Sequence, residues 1–112
     1  MTEARTLPVG VEYGGQIHRE LEIGPRKVKH LLAASGSELV AQNKDAYEIC
    51  VLAEQIIKLG AIPKEEITGA LLLEMDADDF DVLTEAAQKV RQRTATFRGG
   101  AGDKQAGDSG PA

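Results

Sequence analysis

Two alternating runs divided by a glycine pair set the tightest limit on what this chain can fold into. Leu7, Val9, Val11 and Tyr13 occupy every second position of the segment Thr6 to Tyr13. Ile17, Arg19, Leu21 and Ile23 do the same in the next run, which leaves His18, Glu20 and Glu22 on the opposite face. Period-two alternation places one set of side chains on one face of a strand, and Gly14-Gly15-Gln16 supplies the positive φ angles of a tight hairpin turn. Pro8 and Gly10 weaken the first strand and predict that it lies at a sheet edge. A hairpin by itself is marginal in water. Its apolar face must therefore be covered by the remainder of the chain, which reads as helix.

Gly24-Pro25 ends the second strand, with proline tolerated in a first helical turn. Arg26 to Ala34 then predicts a short helix with Val28, Leu31 and Leu32 inward, stopped by Ser35-Gly36 and followed by a polar loop from Ser37 to Asn43. The strongest helical pattern runs from Lys44 to Leu59. Ala46, Ile49, Cys50, Ala53, Ile56 and Ile57 form one stripe at i, i+3, i+4, i+7, i+10 and i+11. Asn43 reads as its N-cap and Gly60 as the left-handed residue beyond its end. Val51, Leu52 and Leu59 widen the apolar sector, which predicts cover on more than one side. Pro63-Lys64-Glu65-Glu66 marks another helix start, and Gly69 divides that segment into two short pieces. Asp76 is expected to cap a last helix with Asp78 and Asp79 in its first turn, where carboxylates suit the positive end of the dipole. Phe80, Leu83, Ala87 and Val90 give its inward positions, and Lys89, Arg91 and Arg93 its basic end.

The chain has 112 residues, enough for one domain, expected over 1–97 and followed by a disordered glycine-rich tail over 98–112 that lacks large apolar residues. Aromatic residues are only 4%, without tryptophan, so the core must come from Leu, Ile, Val and Ala. The net charge of −5 argues against a nucleic-acid partner, which would call for a basic surface. Cys50 is the single cysteine and excludes an internal disulfide. No cysteine and histidine pair has zinc spacing, no uncharged run is long enough to span a membrane, and the N-terminus has no leader-like apolar stretch. The acids Glu74, Asp76, Asp78, Asp79 and Asp81 do not fit a calcium loop: counted from Asp76, the sixth residue is Asp81 and the twelfth is Ala87. His18 and His30 have no partners in the spacing of a triad or metal site. No catalytic constellation is visible, and neither a cofactor nor an enzymatic role is expected. Leu59, Ile62, Leu71, Leu72, Leu73 and Met75 crowd around one helical junction, where they either complete the core or form an exposed patch that marks a protein partner.

The order of these elements resembles a known family. A hairpin with Tyr13-Gly14-Gly15 and Glu20-Leu21-Glu22-Ile23 leads into a helix at Pro25. Ile62-Pro63-Lys64-Glu65-Glu66-Ile67 and Leu73-Glu74-Met75-Asp76-Ala77-Asp78-Asp79-Phe80-Asp81-Val82-Leu83 come after the middle of the chain. Over roughly Leu7 to Arg93 this is similar to the tail assembly chaperones of long-tailed bacteriophages, in particular the small tail assembly protein of Mu-like phages and prophages. The resemblance implies a non-catalytic protein that coats the tape measure protein, a very long helical chain, before tail tube subunits polymerise around it. It also implies action in the host cytoplasm, absence from the mature virion, contact with the tail tube protein and a homo-oligomeric form as a further possibility. Leu72, Leu73, Met75 and Phe80 are the candidate tape measure contacts. The expected fold is α+β, with an N-terminal antiparallel β-hairpin packed on a small bundle of about four helices. The rival readings are a small structural tail or baseplate subunit and a small DNA-binding regulator.

Overall fold

The computed structural model describes the backbone of residues 1–101 and the side chains of residues 1–96. The fold is α+β. Strands β1 (Glu3–Tyr13) and β2 (Gln16–Ile23) form the expected hairpin. Its two-residue turn holds Gly14 at φ 61° and Gly15 at φ 78°, angles that side chains other than glycine rarely adopt. Helices α1 (Val28–Ser35), α2 (Glu38–Gln42) and α3 (Tyr47–Gln55) come next. The chain then makes strand β3 (Ile56–Leu59), the short helix α4 (Gly69–Leu73) and the long helix α5 (Ala77–Ala101). The sheet order is β1-β2-β3, antiparallel throughout, so β1 lies at an edge as expected. Of the expected glycine-rich tail, residues 98–101 belong to α5, and 102–112 lie outside the described residues.

The hairpin is broken in its middle. Thr6 pairs with Glu20 and Val11 with His18, so Leu7 to Gly10 on β1 face only Arg19 on β2. Pro8 has no N–H to give to a ladder. Gly10 stands at φ 97°, where an added Cβ would lie 2.5 Å from the Ile17 side chain. A bulge of this kind re-aims the side chains on either side of it. Leu7 and Val11 are buried while Val9 turns out. On β2, His18 turns in and Ile17 turns out, the reverse of the simple alternation.

The N–H groups freed by the bulge are taken up by one carboxylate. Val9 N–H donates to Asp79 Oδ1 at 2.9 Å and Gly10 N–H to Asp79 Oδ2 at 2.7 Å. Asp79 is fully buried. It stands on the inward stripe of α5 with Leu83, Ala86 and Val90, which cover the sheet beside Leu7, Val11, Leu21 and Ile23. Asp76 caps the helix as expected: its Oδ1 accepts from Asp78 N–H at 2.8 Å. Near the other end of α5, Arg93 pairs with Glu3 and donates to the Thr2 carbonyl at 3.1 Å.

The expected helix from Lys44 to Leu59 stops early. A 3-10 turn occupies Lys44–Ala46, α3 ends at Gln55, and Ile56 takes extended angles. The Lys64 ammonium closes this end by donating to the carbonyls of Ala53, Glu54 and Ile56 at 3.1, 3.1 and 2.5 Å. A cation there satisfies orphan carbonyls and complements the helix dipole. Burial holds Lys64 below the usual lysine value, and Glu54 works against that. β3 then adds to β2 with Leu21 opposite Leu59 and Ile23 opposite Ile56. Ile57 is the extra residue of a second bulge and is half exposed.

Three local expectations change. Ser37 to Asn43 contains helix α2, capped by Ser37 Oγ accepting from Val40 N–H at 3.1 Å. Pro63 to Glu66 forms only a 3-10 turn before α4. Val28 and Leu32 of α1 face out at 78% and 73% exposure, and Ala34 and Leu31 pack inward against Cys50 and Val51.

Replacing Asp79 by Ala leaves two N–H groups of the bulge without a partner, an expected loss of about 3 kcal/mol. Asp78→Ala, at an exposed first-turn position, is expected to cost well under ~1 kcal/mol. Urea unfolding of the two variants measures the difference.

Candidate docking surface

The four candidate contacts do not share one surface. Leu72 and Met75 are buried in the main core with Leu59, Ile62 and Ile67. Leu73 points outward at 51% exposure. Phe80 is half-buried, packing on the core from the first turns of α5. The leucine cluster is therefore chiefly core. Thr68 Oγ1 accepts from Leu71 N–H at 3.3 Å and starts α4 so that Leu72 turns inward. Gly69 is buried against Cys50, which leaves no room for a side chain there.

Phe80 leads to a groove. A hollow of about 250 Å³ separates α3 from α5, with Leu52, Phe80 and Ala87 as its apolar part and Arg26, Glu48 and Arg91 around it. A second hollow of about 260 Å³ shares Arg26 and Arg91 and continues to Thr94 and Ala95. Together they run along α5 from Phe80 to Ala95, roughly 22 Å at the rise of an α-helix. Arg26 and Glu48 form an exposed pair at 3.6 Å, which contributes little to stability and leaves the arginine available to another carboxylate.

A basic pocket lies around the start of α1. Lys27, Lys29, His30, Ile56, Ile57 and Lys64 are among the residues lining a hollow of about 380 Å³. His30 Nδ1 accepts the Lys27 N–H at 3.0 Å, which ties the first turn of α1 together. Burial lowers the His30 pKa, and Lys29, Lys64 and Lys27 lower it further while Glu54 opposes them.

The other histidine is structural. His18 Nδ1 accepts from Ala61 N–H at 3.1 Å, which leaves the ring proton on Nε2, 3.1 Å from the Tyr13 carbonyl. The ring fills the space beside Gly60, at φ 57°, where any side chain would run into it. Cys50 is buried, with Ser37 Oγ at 3.5 Å. Among the described residues, no group of three or more His, Cys, Asp or Glu side chains is placed to hold a metal ion, and no helix is long and apolar enough to cross a membrane.

Leu72→Ala is expected to cost about 2–4 kcal/mol, and Leu73→Ala under about 0.5 kcal/mol, by chemical denaturation. His30 binds its proton less readily in the folded chain than in the unfolded one. Its stabilising contribution is therefore present above its ordinary value of 6.5 and is lost as pH falls through the lower folded value. Urea midpoints from about pH 7 to about pH 5 are accordingly expected to fall less for His30→Gln than for the wild type. No family model, curated protein or solved structure matches this chain.

Proposed function

We propose that this chain is a non-enzymatic tail assembly chaperone that binds a phage tape measure protein and keeps it soluble while the tail tube polymerises. The observation that carries the reading is the groove along α5. Leu52, Phe80 and Ala87 offer an apolar strip, and Arg26 and Arg91 stand beside it. A long amphipathic helix left bare in water associates through its apolar stripe. A groove several helical turns long takes up part of such a stripe, in the manner of helix-in-groove recognition. The acidic balance of −5 adds charge repulsion between coated chains. A cover that must leave as tube subunits arrive is better served by a shallow site than by a deep one. Within this reading Phe80 is the groove contact and Leu73 an outlying one. Leu72 and Met75 act indirectly, by fixing the core under α4 and the start of α5.

Co-expression with the tape measure protein of the same phage genome tests the proposal. The wild-type chain is expected to move the tape measure protein from the pellet to the soluble fraction. Thr84→Arg, which fills the groove from α5, is expected to fail while keeping its thermal midpoint. A tape measure protein that stays insoluble with the wild type, or that Thr84→Arg rescues equally well, overturns the reading. Detection of the chain in purified virions by mass spectrometry would favour a structural subunit.

A further inference from the structure

We propose that the basic pocket between the start of α1 and β3 is a docking site for an acidic protein segment bearing an apolar side chain. The proposal does not rest on the tape measure reading, because it concerns a different hollow and different charged residues. The chain carries 18 acids against 13 lysines and arginines, yet Gly24 to Gly36 contains Arg26, Lys27 and Lys29 and no acid at all. Lys27, Lys29 and Lys64 line the pocket, and three cations in an otherwise acidic protein make a local field of the opposite sign that steers and orients acidic partners. The N-terminus of α1 adds to that field, since its first turn holds no acidic residue to offset the helix dipole.

The pocket is more than a charged surface. Ile57 lines it and is half exposed because it is the extra residue of the second bulge, while Ile56 beside it is fully buried. At about 380 Å³ it holds one large apolar side chain, with carboxylates on either side within reach of Lys27 and Lys29. Lys64 is already committed to the carbonyls at the end of α3, so it shapes the floor and leaves Lys27 and Lys29 as the free cations. Glu54 lies on the same rim. A continuous phosphate backbone would be forced against that carboxylate and against the net charge of −5. A peptide can space its acids to avoid Glu54 and place its apolar residue on Ile57, so the apolar lining and the rim carboxylate together favour protein.

His30 gives a readout inside the pocket. Burial and the charges of Lys29, Lys64 and Lys27 hold its pKa down while Glu54 raises it, so a segment that covers the pocket and sets carboxylates beside those lysines changes the surroundings of the ring.

The test uses the full chain and a short synthetic peptide of alternating Glu and Leu, with a Lys-Leu peptide and single-stranded DNA of equal charge as comparisons. The Glu-Leu peptide is expected to bind saturably by fluorescence anisotropy and to weaken as salt shortens the Debye length below ~10 Å. The His30 ring resonances followed by NMR are expected to shift in the complex. The double reversal Lys27→Glu with Lys29→Glu, both exposed, is expected to weaken binding at least about tenfold with an unchanged thermal midpoint. Failure of the Glu-Leu peptide to bind, an equal affinity of the reversed variant, or His30 ring resonances that do not move would each overturn the proposal. Tighter binding of the DNA, or self-association that the reversal abolishes, assigns the face to a different occupant and likewise overturns it.

Discussion

A single buried carboxylate ties the two halves of this molecule together. Asp79 projects from the first turn of α5 into the bulge of β1 and accepts the N–H groups of Val9 and Gly10. A buried charge is tolerated only when its hydrogen-bonding capacity is used, and a bulge is tolerated only when its freed backbone groups find partners. Each feature satisfies the other. The contact fixes where α5 crosses the sheet, and so fixes Leu83, Ala86 and Val90 above Leu7, Val11, Leu21 and Ile23. It also sets the rotation of α5, which lets Phe80, Thr84 and Ala87 line the groove while Phe80 and Ala87 also pack against the core.

A second polar clamp works at the opposite edge of the sheet. Lys64 ends α3 by occupying its last carbonyls, and the freed chain crosses into β3. Gln55 Nε2 donates to the Gly24 carbonyl at 3.2 Å while Gly24 N–H donates to the Gln55 carbonyl at 3.0 Å, so the exit of β2 and the end of α3 are locked together. His18 holds the far end of β3 through Ala61. In a protein of this size, with few aromatics, these polar ties fix positions that a larger core would fix by packing.

Local patterning made the hairpin, its glycine turn, the start of α5 and the edge position of β1 legible, because each depends on the chemistry of a few neighbouring residues. Part of what it missed traces to the bulges. Ile56 and Leu59 lie three apart and both point inward, which mimics a helical stripe; the spacing arises in a strand because Ile57 is the extra residue. The inward turn of His18 has the same origin on β2. Asp79 read as a first-turn acid, although it stands four residues before Leu83 on the inward stripe, the one signal that marked it as buried. Of the candidate contacts, the leucine run gave no means of separating Leu72 from Leu73. That difference depends on how Thr68 sets the rotation of α4, a five-residue helix too short for any periodic signal.

The placement of charge connects the two proposed surfaces. The groove and the basic pocket both border Gln55, and the segment from Pro25 to Lys29 runs between them. Arg26 turns to the groove, and Lys27 and Lys29 to the pocket. Asp78, by contrast, stands thirteen residues before Arg91 on α5, about 20 Å away along the helix axis. Arg26 and Arg91 thus stand at the groove, and Lys27, Lys29 and Lys64 at the basic pocket. An apolar strip flanked by arginines and an apolar pocket flanked by lysines share one preference: apolar side chains with acids beside them. Basic or purely apolar sequences lack the second half of that requirement, so selectivity on this face comes from charge placement, with apolar contact supplying the adhesion.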